Sequence, residues 1–129
     1  MQRITLLLAV LVLLAPPATA ISEFHRQWKD HYLINNNAGF VLTARKAGCY
    51  ICHVKGEPKE EVRNEYGSAL SKYLEAEDFP VSWVKANPEE ARSRIVAAFK
   101  KAEEDSSKDK RKFGAKIKNG DLPAIDSGL

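Results

Sequence analysis

The residues best suited to chemistry are two cysteines and a histidine with one specific spacing. Cys49, Cys52 and His53 form a C-x-x-C-H motif, and the chain contains no other cysteine. This motif is the attachment signature of c-type haem. Residues three apart in one helical turn lie on the same side of the axis, so both thiols can bond to the vinyl groups along one porphyrin edge. His53 would follow them as the proximal ligand of the iron. The motif therefore predicts one covalently bound haem c.

Three other interpretations use the same two cysteines. A thioredoxin-like redox pair requires the motif at the start of a helix after a buried strand, whereas residues 38–47 favour a helix before it. A zinc site requires four ligands, so the cysteines would recruit two of His25, His31 and His53. A plain disulfide would form in an oxidising compartment. Haem is the favoured interpretation because the motif agrees with an export signal.

That export signal lies at the N-terminus. Arg3 supplies a positive charge, residues 4–14 are an apolar run interrupted only by Thr5, and the small residues 18–20 provide a cleavage site. This is the anatomy of a secretory signal peptide, and the apolar run is short for a membrane span. We predict a signal peptide over residues 1–20 and a single domain over residues 21–129. The mature protein is expected to be soluble, not membrane-embedded, and periplasmic or in an equivalent extracytoplasmic compartment.

Composition describes a balanced, globular chain. Of 129 residues, 44% are hydrophobic and 29% charged, and the net charge is +3. Such a balance gives nucleic-acid binding no support. A domain of this size buries little core by itself, so a disulfide, metal or cofactor is a common means of stabilising it.

Apolar periodicity predicts an all-α fold. Helical spacing recurs in five segments, over residues 24–32, 40–47, 66–74, 88–102 and 113–117. Asn87 is a candidate N-cap and Pro88 suits the first helical position. Residues 54–63 are predicted to form a loop, and the charged residues 103–112 a solvated helix end or loop.

The haem motif and a second segment after it resemble the cytochrome c superfamily. The chain is most similar to the small exported monohaem cytochromes of planctomycete bacteria, which carry C-x-x-C-H-V-x-G followed by R-N-x-Y-G. These segments are residues 49–56 and 63–67 here, and the resemblance covers about residues 40–123. It implies a small all-α domain wrapped round one haem and one-electron transfer as the usual activity. It also implies that Cys49 and Cys52 are the thioether residues and His53 the proximal ligand.

The distal side departs from that family. Leu122 stands where the resemblance would place a methionine ligand, and Met1 is the only methionine in the chain. Methionine is therefore excluded as the sixth ligand, because Met1 belongs to the predicted signal peptide. Cysteine is excluded because the resemblance uses both thiols for thioether bonds. His25, His31, a lysine or an open position remain. His31 is the distal candidate retained here, because it shares a helical face with the aromatic residues before it.

Two functions follow from these residues. The first is a one-electron carrier with an unidentified redox protein as its partner; dimerisation is left open. The alternative is a haem protein that binds or senses a diatomic gas, nitric oxide or carbon monoxide, at an open or weakly held sixth position. A peroxidase-like enzyme would require a distal histidine with a polar helper, and the sequence offers no convincing pair. Five lysines could surround an exposed haem edge and steer an acidic partner, or simply be solvated: Lys55, Lys59, Lys72, Lys116 and Lys118.

Overall fold

The computed structural model of the chain describes residues 18–129, with side chains from residue 22 onward. The predicted signal peptide lies outside the described residues except for its last three, which begin the first helix. The described residues are mostly helical and contain no strand, so the predicted all-α fold is confirmed. None of the helices within residues 18–129 has the length and apolar character needed to cross a membrane.

Six α-helices and two short 3₁₀ turns follow one another along the described residues. The 3₁₀ turns are Gly48–Ile51, directly after the second helix, and Ala76–Asp78, before the fourth. The helices are α1 Ala18–Tyr32, α2 Ala38–Ala47, α3 Glu65–Leu70, α4 Val81–Ala86, α5 Pro88–Glu103 and α6 Phe113–Lys118.

Helix α5 is central to the packing, since it contacts α1, α3, α4 and α6. Its buried residues recur at helical spacing and form one stripe: Ala91, Ile95, Ala98, Phe99 and Ala102. Aromatic rings complete the core, with Trp28 of α1 against Phe40 of α2 and Tyr66 of α3 against Phe113 of α6. This core fixes α2 and α3, the two helices on either side of the C-x-x-C-H motif.

Side-chain caps start the two helices that flank the motif. The Asn37 side chain accepts a hydrogen bond from Phe40 N (2.8 Å) at the start of α2. Asn64 caps α3 in the same manner through Gly67 N (2.9 Å). An N-cap oxygen satisfies a backbone N–H that the first helical turn leaves without a partner.

Two expectations about helix ends need correction. The helix predicted over residues 66–74 ends at Leu70, and Tyr73 is exposed, with its hydroxyl bonded to Asp105. Asn87 precedes α5 as predicted, but its side-chain amide donates to Trp83 O instead of capping the helix.

One expectation about the surface lysines also needs correction. Lys116 is 1% exposed and ion-paired with Asp109. It is therefore not part of a solvated lysine surface.

Candidate functional site

The C-x-x-C-H motif forms a tight turn at the end of α2. The backbone N–H groups of Cys52 and His53 both donate to the carbonyl of Cys49, at 3.2 and 3.1 Å. Gly48 begins the turn with φ +54°, a conformation that other residues rarely adopt, and the space beside it is open. The Cys49 side chain is exposed, the Cys52 side chain is half-buried, and both thiols are free. The structure thus brings the three predicted site residues together in one turn.

The two thiols have different surroundings. Burial raises the pKa of Cys52 to about 12, and the neighbouring Cys49 acts in the same direction, whereas Arg63 opposes it. The Cys52 thiol is therefore protonated at neutral pH. A protonated thiol is a poor nucleophile, so any bond that forms at this sulfur needs a catalyst or a reactive partner.

The ring of His53 is held in one orientation. Its Nδ1 lies 3.1 Å from the backbone carbonyl oxygen of Val62. Because a carbonyl only accepts hydrogen bonds, Nδ1 carries the proton in this contact, and in the neutral ring Nε2 then keeps its lone pair. Fixing the tautomer by a hydrogen bond at the other ring nitrogen is the usual arrangement of a metal-ligating histidine. His53 is thus prepared to bind a metal through Nε2.

Asn64 is the polar centre of the site. It is fully buried, and its side-chain N–H₂ group faces three carbonyl oxygens of the motif turn, those of Tyr50 (3.0 Å), Ile51 (3.0 Å) and His53 (3.3 Å). Its backbone N–H donates to Cys52 O (3.0 Å). Asn64 therefore donates to the carbonyls of four consecutive residues of the turn, 50–53.

Helix α3 packs directly against that turn. A Cβ atom on Gly67 would lie 2.1 Å from the carbonyl oxygen of Cys52, so only glycine fits at this position. Tyr66, the preceding residue, accepts a hydrogen bond from Trp28 Nε1 at 3.0 Å and so connects α3 to α1. Only the family resemblance drew attention to residues 63–67. The roles of Asn64, Tyr66 and Gly67 were not predicted from the sequence. The signal available in the sequence was an asparagine three residues before a glycine at a helix start.

The two upstream histidines have different surroundings in the structure. His31 lies between α1 and α5, with its ring edge-on to Tyr32 (centroids 4.6 Å apart) and 6.2 Å from Phe99. His25 lies beside a groove of about 400 Å³ between α1 and α2, which is also lined by Leu33 and Arg45. The retained distal candidate, His31, therefore packs in the helix interface.

Leu122, which occupies the expected methionine position, packs half-buried against the hydrophobic core. The next residue, Pro123, is fully buried. Both are part of the segment that follows α6, and they stabilise the core there.

The structure also bears on the other interpretations of the two cysteines. The motif follows a helix, and no strand precedes it in residues 18–129, so the arrangement of a thioredoxin-like pair is not present. Over the same residues, no three His, Cys, Asp or Glu side chains are grouped so as to hold a metal ion, and a shared zinc site is not assembled.

Comparisons with protein-family models, curated proteins and solved structures found no match to this chain. Its function therefore has to follow from the chemistry of its own residues.

Proposed function

We propose that this protein is an exported monohaem c-type cytochrome that transfers single electrons. In this proposal Cys49 and Cys52 hold haem c through thioether bonds, and His53 Nε2 is the proximal ligand in a small cytochrome c-like all-α domain. The hydrogen bond between His53 Nδ1 and Val62 O carries the proposal, because it leaves Nε2 as a metal ligand directly after the paired thiols. When bound, haem supplies the one-electron change between ferrous and ferric iron.

The rigidity of the motif turn supports an electron-transfer role. Asn64 fixes three carbonyls of the turn, and Gly67 permits helix α3 to pack against it without a gap. A ligand on a backbone held by buried hydrogen bonds keeps its position better than one on a loose loop. His53 is thus held in one geometry, which suits a centre that must change its charge without rearranging.

The charge around the motif supports an acidic redox partner. Residues 31–56 contain no aspartate or glutamate. Arg45 and Lys46 are exposed near the end of α2, and Lys59 lies over the ring of Tyr50 at 5.5 Å from its centre. Because the Cys49 side chain is exposed, a group bonded to it would emerge within a few residues of Arg45 and Lys46. Complementary charge raises association rates and sets orientation, and it is screened by salt.

Gas binding is the second candidate function. It is favoured by one observation, that the chain has no methionine after Met1 to close the sixth position. A haem with an open or weakly held sixth position can bind nitric oxide or carbon monoxide.

Covalent attachment is the first property to test. The full chain is produced in bacteria with a c-type cytochrome maturation system, and the exported product is weighed by intact-mass spectrometry. We expect a mass that equals the chain from Ile21 plus one haem, and a haem that acidified acetone does not extract. His53→Ala should lose the normal haem spectrum, and Cys52→Ala should retain at most one thioether bond. A haem-free product with a Cys49–Cys52 disulfide would overturn the proposal.

A further inference from the structure

Three aromatic side chains, those of Tyr66, Trp28 and Tyr32, contact one another in sequence and form an aromatic chain through the core. The Trp28 Nε1–H group donates to the Tyr66 hydroxyl at 3.0 Å. The ring centroids of Trp28 and Tyr32 are 5.0 Å apart. Trp28 and Tyr66 are almost completely buried. The aromatic chain therefore links α3 to the end of α1 through the interior of the protein.

One end of the aromatic chain lies beside the motif turn. Gly67, the residue after Tyr66, packs against the carbonyl of Cys52. Burial raises the pKa of Tyr66, and the neighbouring Cys52 acts in the same direction. The Tyr66 hydroxyl is thus close enough to the Cys52 thiol to respond to its charge, and this thiol is one of the two that would hold the haem.

The other end of the aromatic chain has a proton acceptor. The Tyr32 hydroxyl donates to Glu103 Oε1 at 2.7 Å. Burial raises the pKa of Tyr32, so the phenol is protonated at neutral pH. Glu103 is half-exposed, and a proton that its carboxylate takes up can therefore pass on to water.

Packing alone does not account for these polar atoms. Phenylalanine fills neighbouring positions of the same core, with Phe40 6.4 Å from Trp28 and Phe99 5.9 Å from Tyr32 between ring centroids. A buried hydroxyl costs desolvation energy that its hydrogen bond only offsets. A tyrosine bonded to a carboxylate has one property that phenylalanine lacks: its oxidation releases a proton that the carboxylate can accept.

We propose that Tyr32 is a redox-active residue that supplies one electron to the haem site when a peroxide has oxidised that site. This inference rests on the proposed cytochrome function and adds to it a means of protecting the haem. The electron leaves the Tyr32 ring and passes through Trp28 and Tyr66 toward Cys52. The O–H bond of Tyr32 breaks, and its proton moves to Glu103 Oε1. The products are a neutral tyrosyl radical, a protonated carboxyl group and a haem site reduced by one electron.

The hydrogen bonds decide which tyrosine holds the radical. Loss of an electron makes a phenol strongly acidic, so the radical is stable where a base takes the proton. Tyr66 receives its hydrogen bond from the indole of Trp28, which only donates. Tyr32 is bonded to a carboxylate instead. The radical therefore forms at Tyr32, at the end of the aromatic chain that is nearer to solvent.

The test adds hydrogen peroxide to the ferric protein, whose covalent haem has been verified by mass, and freezes the mixture for electron paramagnetic resonance. The wild-type protein should give a tyrosyl radical. Tyr32→Phe should lose this signal, and its haem absorption should bleach faster. Glu103→Gln should lose most of the signal, because its amide accepts a hydrogen bond but takes up no proton. Tyr73→Phe is the matched control and should keep the signal, since the Tyr73 hydroxyl is bonded to the carboxylate of Asp105 at an exposed position.

Spin trapping in the wild-type protein covers the case in which a variant does not fold. A nitroso spin trap added with the peroxide should leave its mass adduct on the peptide that contains Tyr32. Three results would overturn this inference: a haem-loaded protein without a tyrosyl radical, a signal that persists in Tyr32→Phe, or an adduct on Tyr50 or Tyr73 alone. A product without haem would overturn the proposed function and this inference with it, and the mass measurement distinguishes that case from the other three.

Discussion

A single asparagine side chain satisfies most of the polar backbone of the candidate site. The Asn64 amide has two N–H bonds facing four acceptors, because Ser127 Oγ lies 3.0 Å away in addition to the three carbonyls of the motif turn. Each N–H bond of the Asn64 amide is therefore shared between acceptors. The side-chain oxygen caps α3 at the same time. Asparagine can both donate to the carbonyls of the motif turn and cap α3. Aspartate has no donor, and serine is too short to reach these carbonyls.

Replacing Asn64 tests this role. Asn64→Ala leaves the carbonyls of Tyr50 and Ile51 without their donor in a buried site, and each orphaned group costs about 1–3 kcal/mol. We expect the free energy of unfolding in urea to fall by at least about 2 kcal/mol, with a reduced yield of covalent haem. Asn64→Asp, which is nearly isosteric, should be no better, because its carboxylate repels the same carbonyls. An aspartate variant as stable as the wild type would show that the donated hydrogen bonds contribute little.

At the scale of helices, α3 packs against the motif turn with no room for a side chain at Gly67. Gly67 is an α3 residue whose missing side chain makes room for the carbonyl of Cys52. Alanine is favoured over glycine inside helices by about 1 kcal/mol, so helix propensity alone would select against this glycine. Its presence shows that packing against the motif outweighs helix propensity at this position.

Gly67→Ala should therefore destabilise the protein despite the gain in helix propensity. The new Cβ would lie 2.1 Å from a backbone oxygen, so α3 or the motif turn must move. Overpacking of this kind costs about 1–3 kcal/mol, from which the gain in propensity is subtracted. Gly39→Ala in α2 is the control, because its Cβ would meet only the Asn37 side chain at 3.4 Å. Thermal unfolding of both variants should show a lower midpoint for Gly67→Ala and an unchanged or higher one for Gly39→Ala. Equal midpoints would contradict the proposed close packing.

The sequence predicted the helices better than it predicted the site. The aromatic stripe of α1 and the proline start of α5 depend on local patterns, and both helices are present. The motif itself is equally local, since its three residues lie within five positions of the chain. The roles of Asn64 and the different surroundings of His25 and His31 depend instead on contacts between distant segments. No periodicity in one sequence reveals which histidine faces a groove and which faces another helix.

At the scale of the whole molecule, the loop between α5 and α6 holds a buried charge. Lys116 Nζ lies 3.2 Å from Asp109 Oδ2 and 3.2 Å from Ser107 Oγ, while its side chain is almost completely buried. Asp109 also binds the guanidinium of Arg111, at 3.0 Å. Burying an ammonium group is costly unless it is paired, so the loop must keep Asp109 ionised. The charged stretch 103–112 is largely exposed, as predicted, but one of its residues, Asp109, pairs with a buried ammonium group of α6.

Acid should weaken the fold through this carboxylate. The backbone N–H and the guanidinium of Arg111, together with Lys116, hold the pKa of Asp109 at about 2, below its ordinary value of 3.8. Because the folded pKa is the lower one, the unfolded chain binds more protons between these two values. The stability that Asp109 contributes is therefore complete above pH 3.8 and is lost as the pH falls toward 2.

Asp109→Asn and Lys116→Met test the ion pair from its two sides. Asp109→Asn should lower the unfolding midpoint at neutral pH, because it leaves the ammonium of Lys116 buried with a weaker partner. It should also flatten the fall in midpoint between pH 3.8 and 2, since the variant has no proton to bind there. Lys116→Met should lower the unfolding midpoint less at neutral pH, because an apolar side chain of similar length fills the same space and Asp109 keeps its ion pair with Arg111.

Glu77→Gln, at an exposed position outside the ion pairs of the described residues, is the control for loss of one carboxylate. Two results would contradict this account: the same pH dependence in Asp109→Asn as in the wild type, or a larger loss of stability in Lys116→Met. Either would show that the buried ammonium of Lys116 does not depend on the charge of Asp109.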